Sequence, residues 1–308
     1  MWLINTHTFK QEDIVNPEKG SYAILSHTWG DRELSFKQYK DIRNARKTKR
    51  LTKVLKTIRM AYDQKLKYAW VDTCCIDKSS SAELSEAINS MFKWYSDAAV
   101  CFAYLPDLPS VTQISMSSPE ADEEEIQQKQ ATFFSRCRWF SRGWTLQELV
   151  APNIVEFYDS EWNLYGTKAT LAREISNITR IPHIALYGSF SPQKFSVAQR
   201  MSWAANRCTT RVEDIAYCLM GLFDINMALL YGEGNKAFAR LQEEICKQSA
   251  DLSLFAWKSE DEISTSSPSQ KYRGIFASSP SEFRDSSAIY LISRNLAIYH
   301  LTTPPEKT

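Results

Sequence analysis

The sequence predicts an α/β fold: a parallel sheet flanked by helices, with a mostly helical C-terminal extension and a short terminal β segment. Two observations carry this reading. Tyr22-Ala-Ile-Leu-Ser26, Tyr68-Ala-Trp-Val-Asp72 and Ala99-Val-Cys-Phe-Ala-Tyr-Leu105 are apolar runs without alternation, the habit of strands covered on both faces. Between them, Leu51, Val54, Leu55, Ile58, Ala61 and Tyr62, and then Leu84, Ala87, Ile88, Met91, Tyr95 and Ala98, recur at helical spacing. Right-handed crossovers turn strand–helix–strand–helix–strand into a parallel sheet.

Serines 79–81 offer N-caps to the second helix. A basic stretch from Lys40 to Arg50 reads as a solvated helix face or linker. Residues 106–130, with Pro106, Pro109 and the acidic cluster Glu120 to Glu125, read as a loop or insertion. An aromatic-rich helix is expected from Phe133, carrying Trp139, Phe140, Trp144, Leu146 and Leu149, followed by a strand at Ile154–Tyr158. The rest reads as helical: Leu171, Ile175 and Ile178 share a face, Thr210 and Glu213 form a capping-box pattern, and Phe238, Leu241 and Ile245 mark another helix. After a polar linker at 258–270, Ser279-Pro-Ser-Glu282 resembles a helix start, and Ala288–Ile292 with Leu296–Tyr299 suggest a final strand pair. The expected domains are a core at 1–165, a helical extension packed on it at 166–257, and a linker with the start of a β-containing region at 258–308.

Composition bounds the function. With 308 residues and 44% hydrophobic content the chain has enough apolar side chain for a sizeable core. Thirty-seven basic against thirty-six acidic residues argue against a dedicated nucleic-acid binder. Seven cysteines, no secretory pattern in the first fifteen residues and no apolar stretch of membrane-spanning length point to a reducing, cytoplasmic setting. Cys74 and Cys75 are adjacent and the four histidines scattered, so no metal site is expected.

Open α/β sheets bind ligands beyond the carboxyl ends of their strands. That rule selects Ser26-His27-Thr28-Trp29-Gly30 after the first strand and Asp72 through Cys75 to Asp77 after the second, with Glu83 opening the next helix. Each residue also has a plainer reading: Ser26 and Thr28 as turn partners, Asp72 and Asp77 as caps, Glu83 as a favourable charge at a helix N-terminus, and the cysteines as packed thiols. Arg142-Gly-Trp-Thr-Leu-Gln-Glu148, with Arg142, Trp144, Gln147 and Glu148, reads as a structural motif.

Three segments in order carry a family resemblance. Tyr22–Gly30, Trp70–Asp77 continuing through Glu83 to Tyr95, and Arg142–Glu148 resemble the three motifs of the fungal heterokaryon-incompatibility (HET) domain. Arg207–Phe223 and Leu230-Tyr-Gly-Glu-Gly234 are similar to the segment that follows that domain in many filamentous-fungal proteins. The resemblance implies a trigger of programmed cell death in fungal non-self recognition, acting by self-association, with an incompatibility partner or a nucleotide-switch protein as further partners. It also implies a chain that is either free-standing or a fragment of a larger relative. HET domains look like distant relatives of Toll/interleukin-1 receptor (TIR) domains, which implies a TIR-like, flavodoxin-like sheet. Because some TIR domains cleave NAD at the nicotinamide–ribose bond, NAD becomes a possible substrate, with no cofactor required. A carboxylate would then stabilise the oxocarbenium-like ribose. By position Glu83 is the first candidate and Glu86 the second, with Ser26, His27, Trp29, Asp72, Cys75 and Asp77 around the ligand. Trp2, Trp94 and Trp162 are expected to serve homotypic contacts.

Overall fold

The computed structural model describes residues 1–30, 33–41, 51–187, 191–259 and 274–290. Among the described residues seven strands form one sheet: β1 (Trp2–Asn5), β2 (Gln11–Asp13), β3 (Tyr22–His27), β4 (Tyr68–Trp70), β5 (Val100–Tyr104), β6 (Val155–Tyr158) and β7 (Leu164–Thr167). Their spatial order is β2-β1-β4-β3-β5-β6-β7. The middle four are parallel, with Ala23 opposite Ala69 and His27 opposite Tyr104. β1, β2 and β7 join their neighbours antiparallel, with β2 and β7 at the two edges, so the sheet is mixed rather than wholly parallel. All six residues of β3 are buried, as a central strand sheathed on both faces requires. The first parallel crossover runs from β3 outward to β4 and the next returns to β5 on the other side. The strand order therefore reverses between β3 and β5, where doubly wound sheets place ligands.

The helices are α1 (Phe36–Lys40), α2 (Leu51–Asp63), α3 (Asp72–Cys75), α4 (Ser81–Asp97), α5 (Val111–Ser117), α6 (Glu123–Ser135), α7 (Thr145–Val150), α8 (Ala172–Thr179), α9 (Val197–Ser202), α10 (Asp214–Tyr217), α11 (Met220–Phe223) and α12 (Lys236–Gln248). Helix α2 packs on β3 and β4, and α7 packs on β3 and α4. Its apolar stripe at Leu51, Val54, Ile58 and Ala61 is the buried face of α2. The Ser80 side chain caps α4 by accepting from the Glu83 amide at 3.3 Å.

Several expectations are corrected. The second strand stops at Trp70, and Asp72 begins α3. Residues 106–130 hold α5 and most of α6 instead of a loop. Ser110 and Gln113 make a capping box, and Asp122 caps a first turn of Glu123, Glu124 and Glu125, where the helix dipole favours negative charge. The aromatic helix expected from Phe133 is broken in three: α6 ends at Ser135, a 3₁₀ turn spans Arg138–Ser141, and α7 follows Gly143. No capping box forms at Thr210, because Glu213 turns away and accepts from the amides of Gly232 (2.8 Å) and Gly234 (3.0 Å). Ala288 belongs to a 3₁₀ turn, Ser286–Ala288; residues 291–300 of the expected strand pair lie outside the described residues, as do most of the basic stretch and of the 258–270 linker.

One contiguous core runs from Leu3 to Phe283 and takes in Trp203, Tyr217, Leu222, Phe238 and Leu241 of the extension. Contact is closest at Gly221 of α11, where an added Cβ would lie 2.1 Å from the Cβ of Phe92 on α4. Only a residue without a side chain lets those two helices meet there. Trp2, Trp94 and Trp162 are partly buried against this core: Trp2 meets Phe36 edge-on, Trp94 meets Trp70, and Trp162 stacks on Tyr104 at 4.2 Å. Each of the three rings thus has an intramolecular partner and keeps part of its surface exposed.

Candidate functional site

Ser26 and His27 are successive residues at the carboxyl end of β3, so they face opposite sides of the sheet. On one side the Ser26 hydroxyl donates to the Glu148 carboxyl and accepts from the Trp139 indole at 2.7 Å. The Tyr95 hydroxyl, which donates to the Leu25 carbonyl at 3.2 Å, closes this network from α4. Glu148 is only 8% exposed. Burial pushes its carboxyl up to about 8, against the pull of the Ser26 bond, and the negative charge of Asp72 adds to the rise. A carboxyl in this state carries its proton at neutral pH.

His27 faces the other side. Its Nε2 lies 3.2 Å from Asp72 Oδ1 and its Nδ1 lies 3.0 Å from Lys53 Nζ, which reaches over from α2. Asp72 also accepts from the Trp29 indole at 2.9 Å. Lys78 Nζ sits 3.5 Å from the centroid of the Trp29 ring and 3.9 Å from Asp72 Oδ2. Glu33 joins the cluster by accepting from Lys53 and from the Gly30 amide at 2.7 Å. Burial works to raise the Asp72 carboxyl, but the His27 bond, the Lys78 charge and the Trp29 bond win and hold it at about 2.

Two carboxyl groups at the same sheet end are thus driven apart, one ionised and one protonated. They lie on opposite faces of the sheet, Asp72 with His27 and Glu148 with Ser26. Access divides the roles. Ser26 is fully buried and Glu148 nearly so, whereas the Trp29 ring is 49% exposed and the Lys78 side chain 38%. Trp29 and Lys78 are therefore the solvent-facing part of this cluster, with the His27 and Asp72 side chains largely covered and the Ser26–Glu148 branch buried on the other side of the sheet. Thr28 Oγ1 and Gln147 Nε2 are buried at this end without a hydrogen-bond partner among the described residues, a condition that water or a ligand would relieve.

Of the residues singled out by sequence, Ser26, His27, Trp29 and Asp72 come together here. Glu83, Glu86 and Cys75 line a different feature, a groove of about 560 Å³ running along α4, with Trp2, Asp13, Trp94 and Asp97. Within it Glu83 accepts from the Asp77 amide at 2.8 Å, while the Asp77 carboxylate accepts from the amide and hydroxyl of Ser79. Burial pushes the Cys75 thiol well above its usual range, which leaves it a packed thiol. The third motif divides: Arg142 and Trp144 support the chain around them, but Glu148 belongs to the site. Sequence reasoning also passed over Lys53, Glu33 and Lys78 at the rim and the site role of Trp139 and Tyr95, whose only sequence signal was apolar helical spacing. Among the described residues no group of three His, Cys, Asp or Glu could hold a metal ion, and no helix is long and apolar enough to cross a membrane.

Comparison with known proteins gives two family matches. Residues 22–148 match the family described as heterokaryon incompatibility protein (HET), and residues 236–307 match a domain of unknown function (DUF8212). The vegetative incompatibility protein HET-E-1 of Podospora anserina is 46% identical over 244 residues, which is 78% of this chain and 17% of that relative. The chain thus spans less than a fifth of the length of the curated relative it matches. No solved structure matches the chain.

Proposed function

The chain belongs to the heterokaryon-incompatibility family, and from that premise we propose that it is the effector domain of an incompatibility reaction, triggering cell death after fusion of unlike fungal cells. The carboxyl end of β3 is its functional centre. One observation carries the reading: three motifs spread over more than a hundred residues deliver Ser26, His27, Asp72 and Glu148 to one sheet end. A purely structural explanation of the motifs does not require two carboxyl groups held in opposite protonation states. The domain works as a TIR-like module by self-association in the cytoplasm; the order of its four parallel strands, in which the first lies between the second and the third, supports that likeness.

The test is expression in fungal cells of the chain and of a His27→Ala/Asp72→Ala double variant, both verified as folded. The parent chain kills and the double variant does not. Equal killing by both moves the functional centre elsewhere. Sedimentation of the purified protein across a concentration series checks self-association.

A second reading is favoured by the α4 groove, where Glu83 and Glu86 stand beside the indoles of Trp2 and Trp94. In it the chain hydrolyses NAD at the nicotinamide–ribose bond, with one of these carboxylates facing the developing oxocarbenium charge. Free nicotinamide released by concentrated protein, and lost in Glu83→Gln or Glu86→Gln, is the expected result. Killing that survives once turnover is gone separates toxicity from hydrolysis.

A further inference from the structure

We infer that Arg207, which lies outside the 22–148 family match, is a positioning residue for the Ser26–Glu148 branch, so that the helical extension completes the functional centre. This rests on the reading of the β3 end as that centre.

The geometry begins with the turn between Trp139 and α7. Those few residues carry both partners of Ser26: Trp139 on one side, Glu148 on the other. Within the turn Thr145 Oγ1 reaches back to the Trp139 and Arg142 carbonyls, and the extension holds that hydroxyl in place. The Arg207 guanidinium is buried; its Nη1 donates to the Arg142 carbonyl at 2.8 Å and to Thr145 Oγ1 at 2.9 Å, and its Nε to the Trp203 carbonyl at 3.3 Å. Thr145 Oγ1 is in turn bonded to the Trp139 carbonyl. One planar cation therefore ties the Arg142 carbonyl to the first turn of the helix bearing the carboxyl, and it reaches the residue bearing the indole through Thr145 Oγ1. A lysine has the charge but not the fork.

The backbone repeats the clamp. Gly143 donates to the Cys208 carbonyl at 2.8 Å and Cys208 donates to the Ser141 carbonyl at 2.7 Å, making a parallel bridge between residues 142 and 208. A Cβ on Gly143 would stand 2.5 Å from Thr209 Cγ2. The charge of Arg207 is also felt at Glu148. The other ionisable groups around that carboxyl are Tyr95 from α4, Cys101 from β5, Asp72 from the rim, Arg142, and Cys218 from the extension. Among these only Arg142 and Arg207 are cationic, and Arg142 points outward, to Thr210 at 3.5 Å.

The experiment uses the full chain and difference infrared spectroscopy, with Glu148→Gln as the reference that isolates the carbonyl stretch of the protonated Glu148. That frequency reports the hydrogen bonds the acid makes. Arg207→Lys is expected to move the band, and Thr145→Val, which keeps Arg207 but cuts its link to Trp139, is expected to move it in the same way. Combining the two should add little. Arg240→Lys, altering an arginine that ties down Glu233 in another loop, should leave the band in place. An unmoved band in Thr145→Val or in folded Arg207→Lys overturns the assignment, and if Arg207→Lys does not fold, Thr145→Val alone decides. This outcome is independent of cell killing. Should the band shift while the His27→Ala/Asp72→Ala variant still kills, Arg207 positions Glu148 but the functional reading of the β3 end fails.

Discussion

Replacing Glu148 with glutamine should make the protein more stable relative to its parent as the pH rises. The native fold holds the carboxyl at about 8 against 4.5 for the free group, chiefly by burial. The sign follows from proton counting. Between those two values the folded chain keeps a proton that the unfolded chain has lost, so stability is fully present below 4.5 and drains away as the pH climbs through 8. Each pH step across the interval removes about 1.4 kcal/mol, and the whole interval roughly 4–5 kcal/mol. Glutamine keeps the shape and an oxygen able to accept from Ser26 but cannot ionise, so it escapes that loss. In thermal melts at pH 5 and pH 8 the gap in Tm between variant and parent should widen by on the order of 10 °C. Groups common to both chains cancel in the comparison. A gap that stays constant across the range refutes the claim that Glu148 is buried as the neutral acid, and with it the acid–base division of the site.

Other substitutions probe the rim and the docking of the extension. Asp72→Asn should cost about 2 kcal/mol in urea unfolding at pH 7, because the folded carboxylate lies at about 2 instead of 3.8; the gain of the parent is present above the upper value and is lost as the pH falls through the lower. A deficit that persists undiminished at pH 2 contradicts the ionised assignment. Lys168 is buried with its ammonium bonded to the carbonyls of Leu149 and Pro152 at the end of α7, and burial pulls it down to about 8. The parent should therefore gain about 3 kcal/mol between pH 8 and 10.5, and Lys168→Met should abolish that gain in denaturation curves. Gly221→Ala drives a methyl into Phe92 and should destabilise the chain by about 1–3 kcal/mol. Pairing it with Phe92→Ala should recover part of the loss, and full additivity of the two changes would show that the helices do not touch as described.

The legible part of this protein was the part whose physics is local. Tyr22–Ser26 and Ala99–Leu105 announce central strands because a strand covered on both faces has no reason to alternate, and the helices between them carry one apolar face each. The antiparallel edge strands left no such mark. Gln11-Glu-Asp13 and Leu164-Tyr-Gly-Thr167 are short and largely polar, as exposed edges tolerate, so they read like loops. The acidic run at 123–125 misled for a related reason. Taken as composition it suggests a solvated insertion, yet placed after an Asp122 cap it is the favoured first turn of α6.

The site divides along the same line. The rule that ligands gather at strand ends found Ser26, His27, Trp29 and Asp72, because that rule needs only the strands. Glu148 eluded it. Its role depends on a bond to a residue 122 positions earlier and on a burial that α4, α7 and the extension create together. No spacing within Arg142–Glu148 distinguishes a packed glutamate from a protonated one. Glu83 shows the converse: a carboxylate well placed by chain order spends one oxygen on the Asp77 amide and opens onto the α4 groove, away from His27. Chain order can nominate a carboxylate, but the solvent and charges around it decide whether it holds a proton. In this fold those surroundings reach Glu148 through Arg207 and Cys208, beyond the segment that the family motifs define.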